Sequence, residues 1–174
     1  MTNTYKIVLI GAAESGKSSL INSVLGNEFR HAYTPTVGAD VYSLQLKVVS
    51  RATNQVYEVT LDVWDTAGRE DCVLLGNGYY ILADAAILCS ADSTPWQQRA
   101  EDMKKWAREF YRMCPTAPIV LAVTKADSET VLPRKLPPAV KYVAVSSLTG
   151  YQVYHPFLAV LKLLFRDNTL YIAN

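Results

Sequence analysis

Residues 11–18 are the first group in the chain whose types and spacing could do chemistry. They read Gly-Ala-Ala-Glu-Ser-Gly-Lys-Ser and match G-x-x-x-x-G-K-[ST], between an apolar run at 6–10 and a helical pattern at 18–25. Such glycines let successive backbone N–H groups face phosphate oxygens, and the helix adds its positive end. We expect Lys17 to reach the terminal phosphates and Ser18 to offer its hydroxyl to Mg²⁺. The alternative, a glycine turn that contains a lysine by chance, is disfavoured by the flanking strand and helix.

Asp65-Thr66-Ala67-Gly68 forms a second group, at the end of an alternating apolar and polar strand at 56–64. An aspartate here can hold a water bound to Mg²⁺, and the Gly68 N–H can reach a terminal phosphate. A D-x-x-G segment alone usually marks only a turn. Its spacing after the phosphate loop favours a binding site.

Thr124-Lys125-Ala126-Asp127 forms a third group, after an apolar run at 119–123. The Asp127 carboxylate can accept two hydrogen bonds from the N1–H and amino groups of guanine, whereas adenine would leave it unpaired. The stem of Lys125 can cover the base. A helix-capping role is the alternative for Asp127.

A polar loop before the strand at 41–49 carries two further candidates. The Thr36 hydroxyl could complete a Mg²⁺ shell only when a third phosphate is present, which would make the loop a switch. Phe29 could lie on the base or could pack in the core, and the sequence leaves both open.

The elements that must position these groups alternate between strands and helices. This order predicts an α/β fold of the P-loop NTPase type, a six-stranded mostly parallel sheet flanked by helices, with ligands at the carboxyl ends of the strands. The charges of a helix from about 94 to 113, Arg99 among them, are expected on a solvated face. The predicted strands are 6–10, 41–49, 56–64, 85–89, 119–123 and 142–145, and the other helices are 18–25 and 156–166.

Length and composition limit the number of domains, the kinds of partner and the cellular location that the sequence allows. The 174 residues suit a single domain spanning 1–174, and a net charge of +1 gives no electrostatic case for nucleic acid. Cys72, Cys89 and Cys114 show no CxxC spacing and are expected as buried thiols in a reducing compartment. With no signal peptide, membrane-length apolar run or C-terminal lipidation cysteine in this sequence, we expect an intracellular, cytoplasmic location, with the nucleus as a second option.

Together and in order, these motifs resemble those of the Ras superfamily of small GTPases, from about residue 5 to 170. Residues 62–68, 78–81 and 151–157 are most similar to the Ran subfamily, with Rab as second choice. The resemblance implies GTP and GDP binding with Mg²⁺, a switch I at 30–40 and a switch II at 65–80. Effector, exchange and activating proteins would read these switches.

The resemblance also implies a set of site residues. The loop Ser146-Ser147-Leu148 would be the last to contact the base, with the Ser147 N–H reaching the guanine oxygen. The catalytic set is Arg69, Lys17 and Thr36, and the metal set is Ser18, Thr36 and Asp65. The nucleotide-binding set is Gly11, Ala13, Glu14, Ser15, Gly16, Lys17, Ser18, Ser19, Phe29, Thr36, Gly68, Thr124, Lys125, Asp127, Ser146, Ser147 and Leu148.

The phosphate loop and switch II depart from the family pattern in ways that concern hydrolysis. Arg69 stands where the family usually has a glutamine that orients water, and arginine cannot accept a hydrogen bond. We expect slow hydrolysis and a long-lived GTP state; Arg69 acting on the transition-state charge is a lesser alternative. Ala13 adds a methyl near the expected catalytic water. Glu14 resembles the loop of G-alpha subunits, so it does not argue against binding.

Two further departures concern affinity and architecture. Thr124 replaces the usual asparagine, so we expect guanine selectivity through Asp127 with weaker affinity or faster release. The stretch 127–146 is short and holds Pro133, Pro137 and Pro138, which predicts a shortened or missing fourth helix and a protein contact near 133–138.

Three functional readings compete. The first is a molecular switch that cycles between GTP and GDP states. The second is a hydrolysis-deficient pseudo-GTPase that acts as a nucleotide-bound scaffold. The third, an ATP-dependent P-loop kinase, is disfavoured because residues 124–127 favour guanine and no lid is evident.

Overall fold

The computed structural model describes residues 3–30, 32, 34–68, 76–128 and 141–173. Within these residues the chain alternates strands with helices, as the sequence pattern predicts. The strands are β1 (Asn3–Ile10), β2 (Ala39–Ser50), β3 (Val56–Thr66), β4 (Ala85–Ala91), β5 (Ile119–Thr124), β6 (Lys141–Ala144) and β7 (Leu170–Ile172). The helices are α1 (Lys17–Val24), α2 (Trp96–Met113) and α3 (His155–Leu164), with a short 3-10 helix at Gly76–Tyr80.

The strands form one sheet in the order β6-β5-β4-β1-β3-β2-β7. Strands β6, β5, β4, β1 and β3 are mutually parallel, whereas β2 and β7 run antiparallel to their neighbours. The mostly parallel sheet is therefore confirmed, but the predicted count of six was wrong. The seventh strand, β7, has three residues and pairs with the end of β2, and a segment so short carries no readable periodicity.

The centre of β1 shows why the sheet needs helices on both faces. Ile7 and Leu9 pack in one buried cluster with residues of α1 and α3, while Val8 and Ile10 pack in a second cluster with residues of α2. A strand covered on both sides reads as a continuous apolar run, which is the pattern seen in the sequence. These two cores hold the carboxyl end of β1, and so the start of the phosphate loop, in place.

Arg99 on α2 corrects the expectation of a solvated face. It is only 4% exposed, and its Nη2 donates to the carbonyls of Ala91, Asp92 and Thr94 at 3.0 to 3.1 Å. Its Nε donates to the Ser90 hydroxyl at 3.3 Å. Residues 90 and 91 end β4 and residues 92–94 form the turn that follows it, and the carbonyls there that need donors explain why this charge turns inward.

Several expectations fall outside the described residues. These are the role of Arg69, the part of the predicted switch II at 69–75, the state of Cys72 and the fourth helix near Pro133, Pro137 and Pro138. The other two cysteines, Cys89 and Cys114, are buried free thiols, as expected.

A membrane-crossing helix would have to be both long and apolar. None of the helices in the described part of the chain meets that requirement.

Candidate functional site

A cleft of about 450 Å³ opens at the carboxyl ends of β1 and β3. Its wall consists of the phosphate loop, the first turn of α1, the loop before β2 and the end of β3. Open parallel sheets bind ligands at this edge, where the first strand and its neighbours diverge. The volume lies within the range of natural ligand pockets. Among its lining residues are Ala13, Glu14, Ser15, Gly16, Lys17, Ser18, Ser19, Phe29, Thr36, Asp65, Gly68 and Lys125.

Lys17 is held at the centre of the phosphate loop. Its ammonium donates to the carbonyl oxygens of Gly11 at 2.9 Å and Ala12 at 2.8 Å. Burial lowers its pKa, while the nearby Asp65 carboxylate partly offsets this effect. Glu14 and Gly16, with φ of 60° and 87°, adopt the left-handed backbone conformation that lets the loop curl. The result is a ring of backbone groups around one fixed cation.

Asp65 forms a polar corner of the cleft with Ser18 and Thr36. The Ser18 and Thr36 hydroxyl oxygens lie 3.1 Å apart. Asp65 is 1% exposed, and neither of its carboxylate oxygens accepts a hydrogen bond from the described residues. Burial raises its pKa, although Ser18, Lys17 and Thr36 act in the opposite direction. A buried, unsatisfied carboxylate is costly unless a cation balances it.

The chemistry of this corner fits a magnesium ion. Magnesium prefers hard oxygen ligands, takes few of them from the protein and keeps several waters. Two hydroxyl oxygens and one carboxylate supply that kind of donor set. The predicted metal residues Ser18, Thr36 and Asp65 are therefore brought together in the structure.

Gly68 lies directly against the phosphate loop. A Cβ added to Gly68 would fall 2.5 Å from the Ala13 nitrogen and 2.6 Å from the Ala12 carbonyl carbon. The neighbouring Ala67 N–H donates to the Gly38 carbonyl at 2.9 Å. The segment after β3 thus contacts both the phosphate loop and the loop before β2, and only glycine fits at position 68.

Trp64 lies on the opposite face of β3 from Asp65. The Lys6 ammonium is 3.9 Å from the centre of the Trp64 ring and donates to the Ile81 carbonyl at 2.8 Å. The Tyr79 ring centre is 6.5 Å from that of Trp64. The outer side of β3 next to the cleft is therefore an aromatic and cationic cluster.

Thr124 contacts the phosphate loop through its hydroxyl group. The hydroxyl donates to the Ser15 carbonyl at 2.5 Å, and the side chain fills the space that a Cβ on Gly16 would need. Thr124 is 1% exposed. Threonine replaces the usual asparagine at this position. Its hydroxyl nevertheless links the end of β5 to the phosphate loop. The motif does not reveal this contact because the partner is 109 residues away.

Asp127 is oriented by the loop that follows β6. The Ser146 hydroxyl donates to the Asp127 carboxylate at 2.6 Å and accepts from the Thr149 N–H at 3.1 Å. Ser146 is fully buried, whereas Asp127 is exposed. A buried hydroxyl thus fixes one oxygen of an exposed carboxylate.

The remaining candidates are less closely grouped. Phe29 lines the cleft and is 39% exposed, so it is not a core residue. Asp127, Ser146, Ser147 and Leu148 are not among the lining residues of the cleft, and Leu148 is 48% exposed.

Several further residues that sequence reasoning did not name as site residues also line the cleft, among them Asn22, Asp40 and Tyr42. Asn22 donates to the Ser18 carbonyl at 2.9 Å. The sequence could have placed Asp40 and Tyr42 together, because alternation along β2 puts both residues on one face of the strand.

Comparison with known proteins agrees with this geometry. The family model "Ras of Complex, Roc, domain of DAPkinase" matches residues 6–127, a range that includes the phosphate loop, the segments 30–40 and 65–80 and the Thr124–Asp127 motif. The chain is also 29% identical to the GTP-binding nuclear protein Ran of Giardia intestinalis over 185 alignment positions, covering 96% of this chain and 80% of that protein. The chain therefore belongs to the Roc family and is a Ran-like, GTP-binding small GTPase of the Ras superfamily.

Proposed function

We propose that the chain binds GTP and GDP with Mg²⁺ in the cleft and acts as a molecular switch. One observation carries the proposal: the buried Asp65 carboxylate accepts no hydrogen bond from the described residues and shares its corner with the Ser18 and Thr36 hydroxyls. That corner adjoins the phosphate loop, where a metal bound to nucleotide phosphates would be expected.

Two groups of residues have separate roles in this proposal, one at the phosphates and one at the base. The phosphate loop and Lys17 hold the phosphates by backbone N–H groups and one fixed positive charge. Asp127, held by Ser146, selects guanine, and Lys125 and Phe29 cover the base. When bound, magnesium supplies positive charge that neutralises the phosphate oxygens. Gly11, Ser19, Ser147 and Leu148 complete the nucleotide-contacting set.

The switching element is the contact between the two loops that border the phosphates. Thr36 in switch I and Gly68 in switch II stand at the place where a third phosphate would add contacts. The hydrogen bond from Ala67 to Gly38 ties the two loops together. Effector, exchange and activating proteins would read this region, and the segment at 133–138 is a further proposed protein contact.

Hydrolysis is the part of the cycle that we propose to be slow. Ala13 has a side chain beside Gly68, and Arg69 replaces a glutamine able to orient water. The same residues favour a second candidate function, a pseudo-GTPase that stays bound to nucleotide and serves as a scaffold. We further propose a single domain over 1–174 and an intracellular location.

The nucleotide that copurifies with the protein, together with single-turnover GTP hydrolysis, tests the proposal. We expect GTP and GDP binding that depends on Mg²⁺, that is weaker or shorter-lived than is usual for the family, and that ATP displaces poorly. The wild type should hydrolyse GTP at least about tenfold more slowly than Arg69→Gln, since a positioned group contributes roughly that or more.

Two controls separate the candidate functions. Lys17→Ala should lose nucleotide binding, which identifies the cleft as the site. A conformational response to GTP compared with GDP supports the switch, whereas identical protection of the switches from hydrogen exchange in both states supports the scaffold. Failure of the folded wild type to bind any guanine nucleotide would refute both.

A further inference from the structure

Asp40 and Asp65 are directly opposite each other in the antiparallel pair of β2 and β3. Directly opposed residues point to the same face of a sheet, with Cβ atoms about 4.5 to 5.5 Å apart. The next residues along that face are Tyr42 and Val63, which pack on the cluster that includes Leu20 of α1. Asp40 therefore lies on the α1 side of the sheet, with Asp65.

Two carboxylates in this arrangement repel each other. Like charges directly opposite in a sheet are destabilising, and the charge of Asp40 contributes to the raised pKa of Asp65. Asp40 makes no ion pair with the described residues, and the Lys17 ammonium is engaged by the Gly11 and Ala12 carbonyls. Among the described residues no cationic side chain forms an ion pair with either carboxylate, although Arg30 lines the same cleft.

Both carboxylates border the same space. Asp40, Asp65, Ser18 and Thr36 all line the main cleft. The buried Asp65 accepts no hydrogen bond from the described residues, which independently indicates a ligand at this point. Unlike Asp65, Asp40 is exposed, so a water molecule can lie between its carboxylate and the polar corner of the cleft.

We propose that Asp40 is a second carboxylate of the magnesium site and acts through the water shell of the ion. This inference rests on the proposed function. Magnesium gives up its waters reluctantly, so a carboxylate one layer away can stabilise it by accepting hydrogen bonds from them. Because Asp40 is the second residue of β2 and the last residue of the proposed switch I, metal binding would also fix the start of this strand and the loop before it.

The Mg²⁺ dependence of nucleotide release tests this role. Release of a fluorescent GDP analogue is measured over a range of buffered free Mg²⁺ for the wild type, Asp40→Asn and Asp62→Asn. We expect Asp40→Asn to need about threefold to tenfold more Mg²⁺ for half-maximal retention, as one screened carboxylate near a divalent ion would give. Asp62→Asn removes the same charge from the opposite face of β3, does not line the cleft, and should stay near the wild type.

Thermal unfolding gives a readout that a merely structural role would not produce. In EDTA, Asp40→Asn should be at least as stable as the wild type, because repulsion with Asp65 is removed. The gain in Tm on adding Mg²⁺ and GDP should be smaller in Asp40→Asn, and Asp40→Glu should restore most of it.

The outcomes of these experiments separate a failure of the proposed role of Asp40 from a failure of the proposed function. Wild-type Mg²⁺ dependence in Asp40→Asn, or an equal shift in Asp62→Asn, overturns the role of Asp40 and leaves the proposed function intact. Release of GDP from the wild type that is independent of Mg²⁺ would overturn both.

Discussion

The Thr124 hydroxyl donates a hydrogen bond to the Ser15 main-chain carbonyl at 2.5 Å, and so joins the end of β5 to the phosphate loop. The two residues are buried, so neither group can exchange this bond for water. The side chain that begins the proposed base-recognition motif therefore supports the phosphate loop.

We predict that Thr124→Val releases GDP about tenfold faster than the wild type. Valine keeps the shape of threonine but leaves the buried Ser15 carbonyl without a donor, and such a loss costs about 1 to 3 kcal/mol. Stopped-flow release of a fluorescent GDP analogue measures the effect. Thr124→Ser keeps the hydroxyl and serves as the matched control. Equal release from the valine and serine variants would show that the hydrogen bond is unimportant.

Gly68→Ala is expected to separate switch II from the phosphate loop. The new Cβ would meet backbone atoms of Ala12 and Ala13 at 2.5 to 2.6 Å, closer than van der Waals contact allows. We predict that affinity for GTP falls by about tenfold or more while affinity for GDP changes less, because the third phosphate is the group nearest this contact. Equilibrium titration with both nucleotides measures the ratio.

Two control variants sharpen the Gly68 prediction. Gly78→Ala places a methyl where no atom lies within 4 Å, so it should leave the ratio unchanged. Adding Ala13→Gly to Gly68→Ala should not restore GTP binding, since the obstructing atoms belong to the backbone. Full rescue by Ala13→Gly would contradict the geometry.

Arg99→Met should lower the free energy of unfolding by about 2 to 4 kcal/mol. Methionine fills much of the volume but leaves the carbonyls of residues 91, 92 and 94 without their shared donor. Urea denaturation measures the change. Arg108→Met, on the exposed side of the same helix, should change stability by no more than about 0.5 kcal/mol. A similar small effect at both positions would mean that Arg99 contributes no more than a surface charge.

Cys89 should resist alkylation in the native protein. Complete burial raises the pKa of its thiol from 9.0 to about 12, and only the thiolate reacts. The shift lowers the reactive fraction at pH 8 by about a thousandfold, apart from the steric block. Mass spectrometry after iodoacetamide treatment should find Cys89 modified only after unfolding. Native modification at pH 8 would show that the strand opens readily.

The phosphate loop could be read from the sequence because its chemistry is local. Residues 11–18 are adjacent, and the strand before them and the helix after them have their own patterns. The same applies to Asp65 and Gly68 at the end of β3. Their meeting with Ser18 and Thr36 follows from a general rule, that the carboxyl ends of strands share one edge of the sheet.

Other features depend on contacts between distant segments and could not be predicted. Arg99 has the spacing of a surface residue on α2, but the carbonyls of the preceding turn draw it inward. The bond from Thr124 to Ser15 spans 109 residues. The pairing of β7 with β2 depends on where α3 ends, and three residues carry too little pattern to show it.

The neighbouring positions of Trp64 and Asp65 on β3 have a practical consequence. Successive residues of a strand face opposite sides of the sheet. Asp65 therefore faces the polar corner of the cleft, and Trp64 packs in the cluster with Lys6 and Tyr79. Indole emission responds to nearby charge, and the Lys6 ammonium is only 3.9 Å from the ring centre. We therefore expect the emission of Trp64, on the opposite face of β3 from Asp65, to change when an ion or a nucleotide binds at the proposed site, without an added label.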